Sequence, residues 1–97
     1  VASKAAVIGM TRGMARELGP DQIRVNVVAP SAVMTEGTEE FFGEKLEKAK
    51  KVIASGQVIP RNLETADVTG TIVYLASDAS AFVTGQTHMV DGGSWFL

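Results

Sequence analysis

Lys4 is the first side chain in this sequence that could serve chemistry, an ammonium set among small residues near the start of a helix. Taken alone it reads as a solvated surface charge, and the acids Glu64, Asp67 and Asp91 are equally ordinary. Glu64 and Asp67 fall in or just ahead of the first turn of an expected helix, where carboxylates complement the positive end of the helix dipole. His88 is the one histidine, with no acid, cysteine or second histidine at ligand spacing, so no metal site is expected. Ser3, Ser31 and Ser94 have no base near them in sequence, and there is no Gly-x-Ser-x-Gly turn to present a nucleophile. Gly92-Gly93 follows an expected strand but opens no helix, so it is not a phosphate cradle. The absence of cysteine excludes disulfides, zinc ribbons and thiol catalysis.

The elements that must position these groups follow from periodicity. Val1 to Leu18 reads as a helix, with Val7, Met10, Met14 and Leu18 on one apolar face. Ala5, Gly9 and Gly13 make a second stripe of small residues, which is expected to pack closely on a sheet or a partner helix. Gly19-Pro20 stops this helix. Ile23 to Val28 reads as a strand, apolar except for Arg24 and Asn26, and Ala29-Pro30 ends it. Thr35 and Thr38 are candidate N-caps for a charged helical stretch that carries Glu36, Glu39 and Glu40 early and Lys45, Lys48, Lys50 and Lys51 late. That charge run reads as a solvated face, split by Gly43 and ended by Gly56. Pro60 to Leu63 is a connection, and a helix is expected from about Thr65 to Ser77 with Val68, Ile72, Leu75 and Ala76 buried. A turn-rich stretch from Asp78 to Gly85 leads to a short strand at Thr87 to Val90, stopped by Asp91-Gly92-Gly93. Strand, long helical crossover, strand is the parallel βαβ order. Two strands make a poor sheet alone, so further strands or cover from another chain are expected.

Ninety-seven residues make one domain at most, and such a chain buries only about 60–65% of the surface that its unfolded form exposes. A net charge of −2 argues against nucleic acid, which needs a basic patch or stripe. No apolar run is long enough for a membrane span and no secretory signal pattern opens the sequence, so a cytoplasmic setting is expected.

Three segments resemble one family. Val1-Ala2-Ser3-Lys4-Ala5-Ala6 resembles the stretch that follows the catalytic tyrosine of short-chain dehydrogenases/reductases, whose motif is Tyr-x-x-x-Lys. Arg24-Val25-Asn26-Val27-Val28-Ala29-Pro30 resembles the family's strand ending in Pro-Gly, with Ser31 where glycine is usual. Ala66-Asp67-Val68 to Asp78, then Phe82-Val83-Thr84-Gly85-Gln86 and Val90-Asp91-Gly92-Gly93, resembles its last helix and last strand. The resemblance covers nearly the whole chain and implies an α/β fold: the C-terminal portion of a Rossmann-like doubly wound parallel sheet, with about two strands and three to four helices. On this reading residues 1–97 are one incomplete NAD(P)-binding domain.

The resemblance also implies roles. Lys4 matches the lysine that lowers the tyrosine's pKa and hydrogen-bonds the nicotinamide ribose. Positions four apart share a helical face, and an ammonium beside a phenol favours the phenolate over its ordinary pKa of about 10. Pro30 matches the proline of the strand end. Val33 matches the residue whose backbone holds the nicotinamide carboxamide, and Thr35 the threonine at the carboxamide or pyrophosphate. The expected function is hydride transfer between NAD or NADP and a carbonyl or alcohol substrate. The tyrosine would immediately precede Val1, so the 97 residues by themselves are expected to be inactive, with weak or no cofactor binding. Homo-oligomerisation is expected, with no nucleic-acid or membrane partner. A second expectation, from the small-residue stripe and an unpaired strand, is a non-catalytic module that self-associates.

Overall fold

The computed structural model describes residues 2–32 and 36–96, apart from the side chain of Thr38. Among the described residues there are four α-helices, α1 (Ala2–Leu18), α2 (Glu36–Phe42), α3 (Leu46–Ser55) and α4 (Thr65–Ala76), and two strands, β1 (Val27–Pro30) and β2 (Thr87–Val90). Short 3-10 turns occur at Gly19–Asp21, Gly43–Lys45 and Asp78–Ser80. The chain divides into two compact units, Val1–Ala29 with Thr71–His88, and Pro30–Gly70 with Met89–Leu97.

The strands pair with each other. Val27 N–H donates to the Gln86 carbonyl (3.0 Å) and Ser31 N–H to that of Val90 (3.1 Å). Both steps advance in the same direction by four residues, so the ladder is parallel, as the order strand–helices–strand requires. The sequence expectation placed β1 at Ile23–Val28 and ended it at Pro30; the strand instead occupies Val27–Pro30. Two local causes shift it. Val25 N–H is taken by the Thr84 hydroxyl (3.0 Å) rather than by a ladder carbonyl, and the side chains of Arg24 and Asn26 bind the loop after α4. Pro30 is tolerated because the donors to β2 are Val27 and Ser31. A residue of the other parity turns its nitrogen away from that neighbour, so proline forfeits no bond to β2 there.

Helix limits follow the breakers. α1 ends at Gly19-Pro20, and Gly43 separates α2 from α3 in a left-handed conformation (φ 53°). Thr38 lies inside α2 and is not its N-cap, while Thr35 falls outside the described residues. α4 is started by Asp67, whose Oδ2 accepts the Glu64 N–H at 2.8 Å while its own N–H donates to the Glu64 carbonyl at 3.0 Å. This is the N3-to-N-cap half of a capping box.

The stripe expected to be buried on α4 is corrected: Ile72 and Ala76 are exposed, and Val68 and Leu75 are half-buried. On the apolar face of α1, Val7, Met10 and Met14 are exposed, and the buried positions of that helix are Thr11 and Ala15. A Cβ added to Gly9 or Gly13 would meet nothing within 4 Å, so none of the described residues packs on that stripe. Ala15 and Leu63 are the buried apolar side chains among the described residues. The amphipathic patterning is present, but little within this stretch covers it.

Candidate active site

In the first unit, Lys4 sits in the first turn of α1, exposed. The helix runs through it without interruption, so a residue four positions earlier on a continuing helix would share its face. An ammonium carries three donors and no acceptor, a donor set that fits the hydroxyl acceptors of a ribose. Arg24 anchors the approach to β1 in the same unit. Its guanidinium donates to the hydroxyl of Ser80 (2.8 Å) and the carbonyls of Leu75 (2.9 Å), Ser77 (3.3 Å) and Val83 (3.4 Å). Leu75 carries one of the last carbonyls of α4, which lack helical partners, and a cation there complements the helix dipole. Ser80, 1% exposed, is the most buried residue of the group. Asn26 completes the tie: its Nδ2 donates to the Val83 carbonyl (2.9 Å) and its Oδ1 accepts the Gln86 N–H (3.2 Å).

In the second unit, Pro30 stands exposed at the carboxyl end of β1, the end beyond which open α/β sheets take ligands. Val33 and Thr35 lie outside the described residues. Ser31, Gln57, Asp91 and Gly93 are among the residues that line a cleft of about 310 Å³. Gln57 and Asp91 are both buried, and Asp91 Oδ1 accepts the Gly93 N–H at 3.0 Å. At the rim, Arg61 and Asp67 form a two-pronged pair (2.7 and 2.8 Å). The Arg61 hydrogen bonds, and then the Glu64 N–H, hold the Asp67 carboxyl well below its ordinary value of 3.8. Asp67 in turn raises the Arg61 guanidinium.

Sequence reasoning passed over Gln57 and Arg24. Arg24 and Asn26 carried a signal, since polar residues in an otherwise apolar run need buried partners. Gln57 carried none, because its partners are set by the fold. His88 keeps a buried Nε2 without a hydrogen-bond partner among the described residues, and those residues hold no cluster of three or more metal-ligating side chains. Among them, no helix is long and apolar enough to cross a membrane.

The family model described as enoyl-(acyl carrier protein) reductase matches residues 1–94. The chain belongs to the short-chain dehydrogenase/reductase family. It is 43% identical over 95 residues to peroxisomal 2,4-dienoyl-CoA reductase of Rattus norvegicus, covering 97% of this chain and 32% of that protein. It is 45% identical over 92 residues to the 3-oxoacyl-[acyl-carrier-protein] reductase FabG of Thermotoga maritima, covering 95% and 36%. Among solved structures, 4-hydroxyisoleucine dehydrogenase complexed with NADH superposes with a TM-score of 0.84 at 41% identity, over 96% of this chain and 37% of that one. The Rossmann-like α/β fold expected from the sequence is therefore established, and these relatives are oxidoreductases. The chain spans about a third of the length of the curated relatives that it matches.

Proposed function

We propose that the protein carrying this chain is an NAD(P)-dependent oxidoreductase acting on a carbonyl or alcohol carbon, and that residues 1–97 form part of its single dinucleotide-binding domain. The observation that carries this reading is Lys4, exposed in the opening turn of α1 and inside the segment matched by the family model. When bound, the cofactor supplies or accepts the hydride. Lys4 would donate hydrogen bonds to the ribose hydroxyls, and its charge would favour ionisation of a tyrosine one turn earlier, which would pass a proton to or from the substrate oxygen. Pro30 ends the strand where the nicotinamide would be received; the Val33 backbone would hold the carboxamide, and Thr35 would bind the carboxamide or pyrophosphate.

The reading makes the 97 residues alone inactive and weak in cofactor binding, and places the whole protein in the cytoplasm as a homo-oligomer. A second reading is favoured by the exposure of Met10, Met14, Ile72 and Val73: the chain by itself is a module that associates through these apolar faces. The test is to titrate the full encoded protein with NADH and NADPH and to follow reduced-cofactor consumption with a panel of ketones and aldehydes. Saturable binding and turnover are expected, with no turnover and weak or no binding from the 97-residue chain. Absence of binding by the full protein, or turnover by the 97-residue chain, overturns the reading.

A further inference from the structure

The charged stretch of the second unit carries a groove that the oxidoreductase reading does not use. Phe42, Lys45, Lys48, Ala49, Val52 and Ile53 line it, an open volume of about 640 Å³ along α3 and the end of α2. Phe42, Lys45, Ala49 and Val52 recur at three- and four-residue steps, the spacing of neighbours on one helical face. Phe42 is half-buried, and its ring meets that of Phe41 edge-on with centroids 5.3 Å apart, which steadies one wall. Ala49 and Ile53 are half-buried and Val52 is 61% exposed, so the floor is apolar and open.

The charges on this lining have one sign. Lys45 and Lys48 face the groove, and no carboxylate among the described residues does. Glu47, between them in sequence, stands 3.8 Å from Lys50 with its side chain 81% exposed. Among the described residues neither Lys45 nor Lys48 has an ion-pair partner. The two lysines come from the N-cap and first turn of α3, and Val52 and Ile53 from its later turns. Charge and apolar surface are thus separated along the helix, with about 12 Å between Lys45 and Ile53. A second copy seated on this face would bring the same ammonium groups together, like charge on like. A slender anion with an apolar tail meets both ends of the groove.

We propose that this groove binds a single-chain aliphatic carboxylate, its head at Lys45 and Lys48 and its chain along Phe42, Ala49, Val52 and Ile53. Neither Lys4 nor a cofactor takes part, so this binding stands whether or not the oxidoreductase reading does.

The test is calorimetric titration of the full encoded protein, without cofactor, with decanoate, octanoate and 1-decanol as monomers. Decanoate should bind with saturation and about three- to tenfold more tightly than octanoate, since each buried methylene contributes up to about fourfold. Lys45→Gln and Lys48→Gln together, both at exposed positions, should weaken decanoate about three- to tenfold and leave 1-decanol unchanged. Added salt should weaken decanoate in the same selective way. Val52→Ser should weaken both ligands about threefold, and thermal midpoints check that each variant folds. No saturable binding of decanoate by the unaltered protein overturns the proposal. So does an equal loss of decanoate and 1-decanol in the lysine variant, or affinities that neither variant changes. A dimer that Val52→Ser disperses, with no decanoate bound, would assign the face to a second copy instead.

Discussion

Arg24→Ala should be the costliest single change in the first unit. Two of its bonds are short, to the Ser80 hydroxyl at 2.8 Å and to the Leu75 carbonyl at 2.9 Å, and two are long, to Ser77 at 3.3 Å and Val83 at 3.4 Å. A hydrogen bond from a charged donor contributes about 1.5–3 kcal/mol net, and a cation at a helix C-terminus about 0.3–1 kcal/mol. The sum of two short bonds overstates the loss for two reasons. The Ser80 hydroxyl proton can still go to the Leu75 carbonyl (3.1 Å) and the Ser80 N–H to that of Ser77 (3.3 Å), so these acceptors are not left bare. Arg24 is half-buried, and its own desolvation is recovered on removal. The expected loss is about 2–3 kcal/mol. Urea unfolding of the full encoded protein measures it as a lower midpoint at constant slope. Arg24→Lys should fall between, because an ammonium restores the charge but not the fork. A loss below about 0.5 kcal/mol, the level of an ordinary surface substitution, would refute the reasoning.

Asp67→Asn tests the rim pair. The folded carboxyl lies below its ordinary value of 3.8, so its stabilisation is present above that pH and is lost as pH falls through the folded value. The variant should unfold at a lower temperature at neutral pH, and the difference should shrink as the solution is taken below the ordinary carboxylate range; a constant difference would contradict this. Gly93→Ala places a Cβ 2.9 Å from Val58 Cβ at a backbone φ of 83°. The backbone and the clash together should cost about 2–4 kcal/mol in urea unfolding, and Val58→Ala in the same protein should recover only the smaller part due to Cγ2 (3.0 Å), because alanine keeps the Cβ.

Where structure is decided by neighbours in sequence, the sequence was a good guide. Gly19-Pro20, Gly43 and Gly56 ended helices where their backbone chemistry demanded, and Thr87–Val90 is the strand that its pattern announced. The order of elements led to a parallel pairing, and the Lys4 segment to the right family. The misplaced β1 shows the limit. Its apolar run begins at Ile23, but Val25 gives its N–H to Thr84, fifty-nine residues away, so the ladder starts later. The helix faces mislead for another reason: periodicity says which side is apolar, and Met10 and Met14 show that it does not say what covers that side. At the candidate site, Lys4 and Pro30 were singled out through motifs. Gln57 was not, because its three hydrogen bonds exist only once residues 31, 59 and 61 are brought to one place.

The central claim, that Lys4 serves proton transfer beside a bound nicotinamide, is tested most directly by Lys4→Met in the full encoded protein. The measurement is the rate of reduced-cofactor consumption with a carbonyl substrate that the unaltered protein accepts. The account predicts that turnover falls about 100-fold or more while the circular dichroism spectrum is retained. Turnover at the unaltered rate would contradict it.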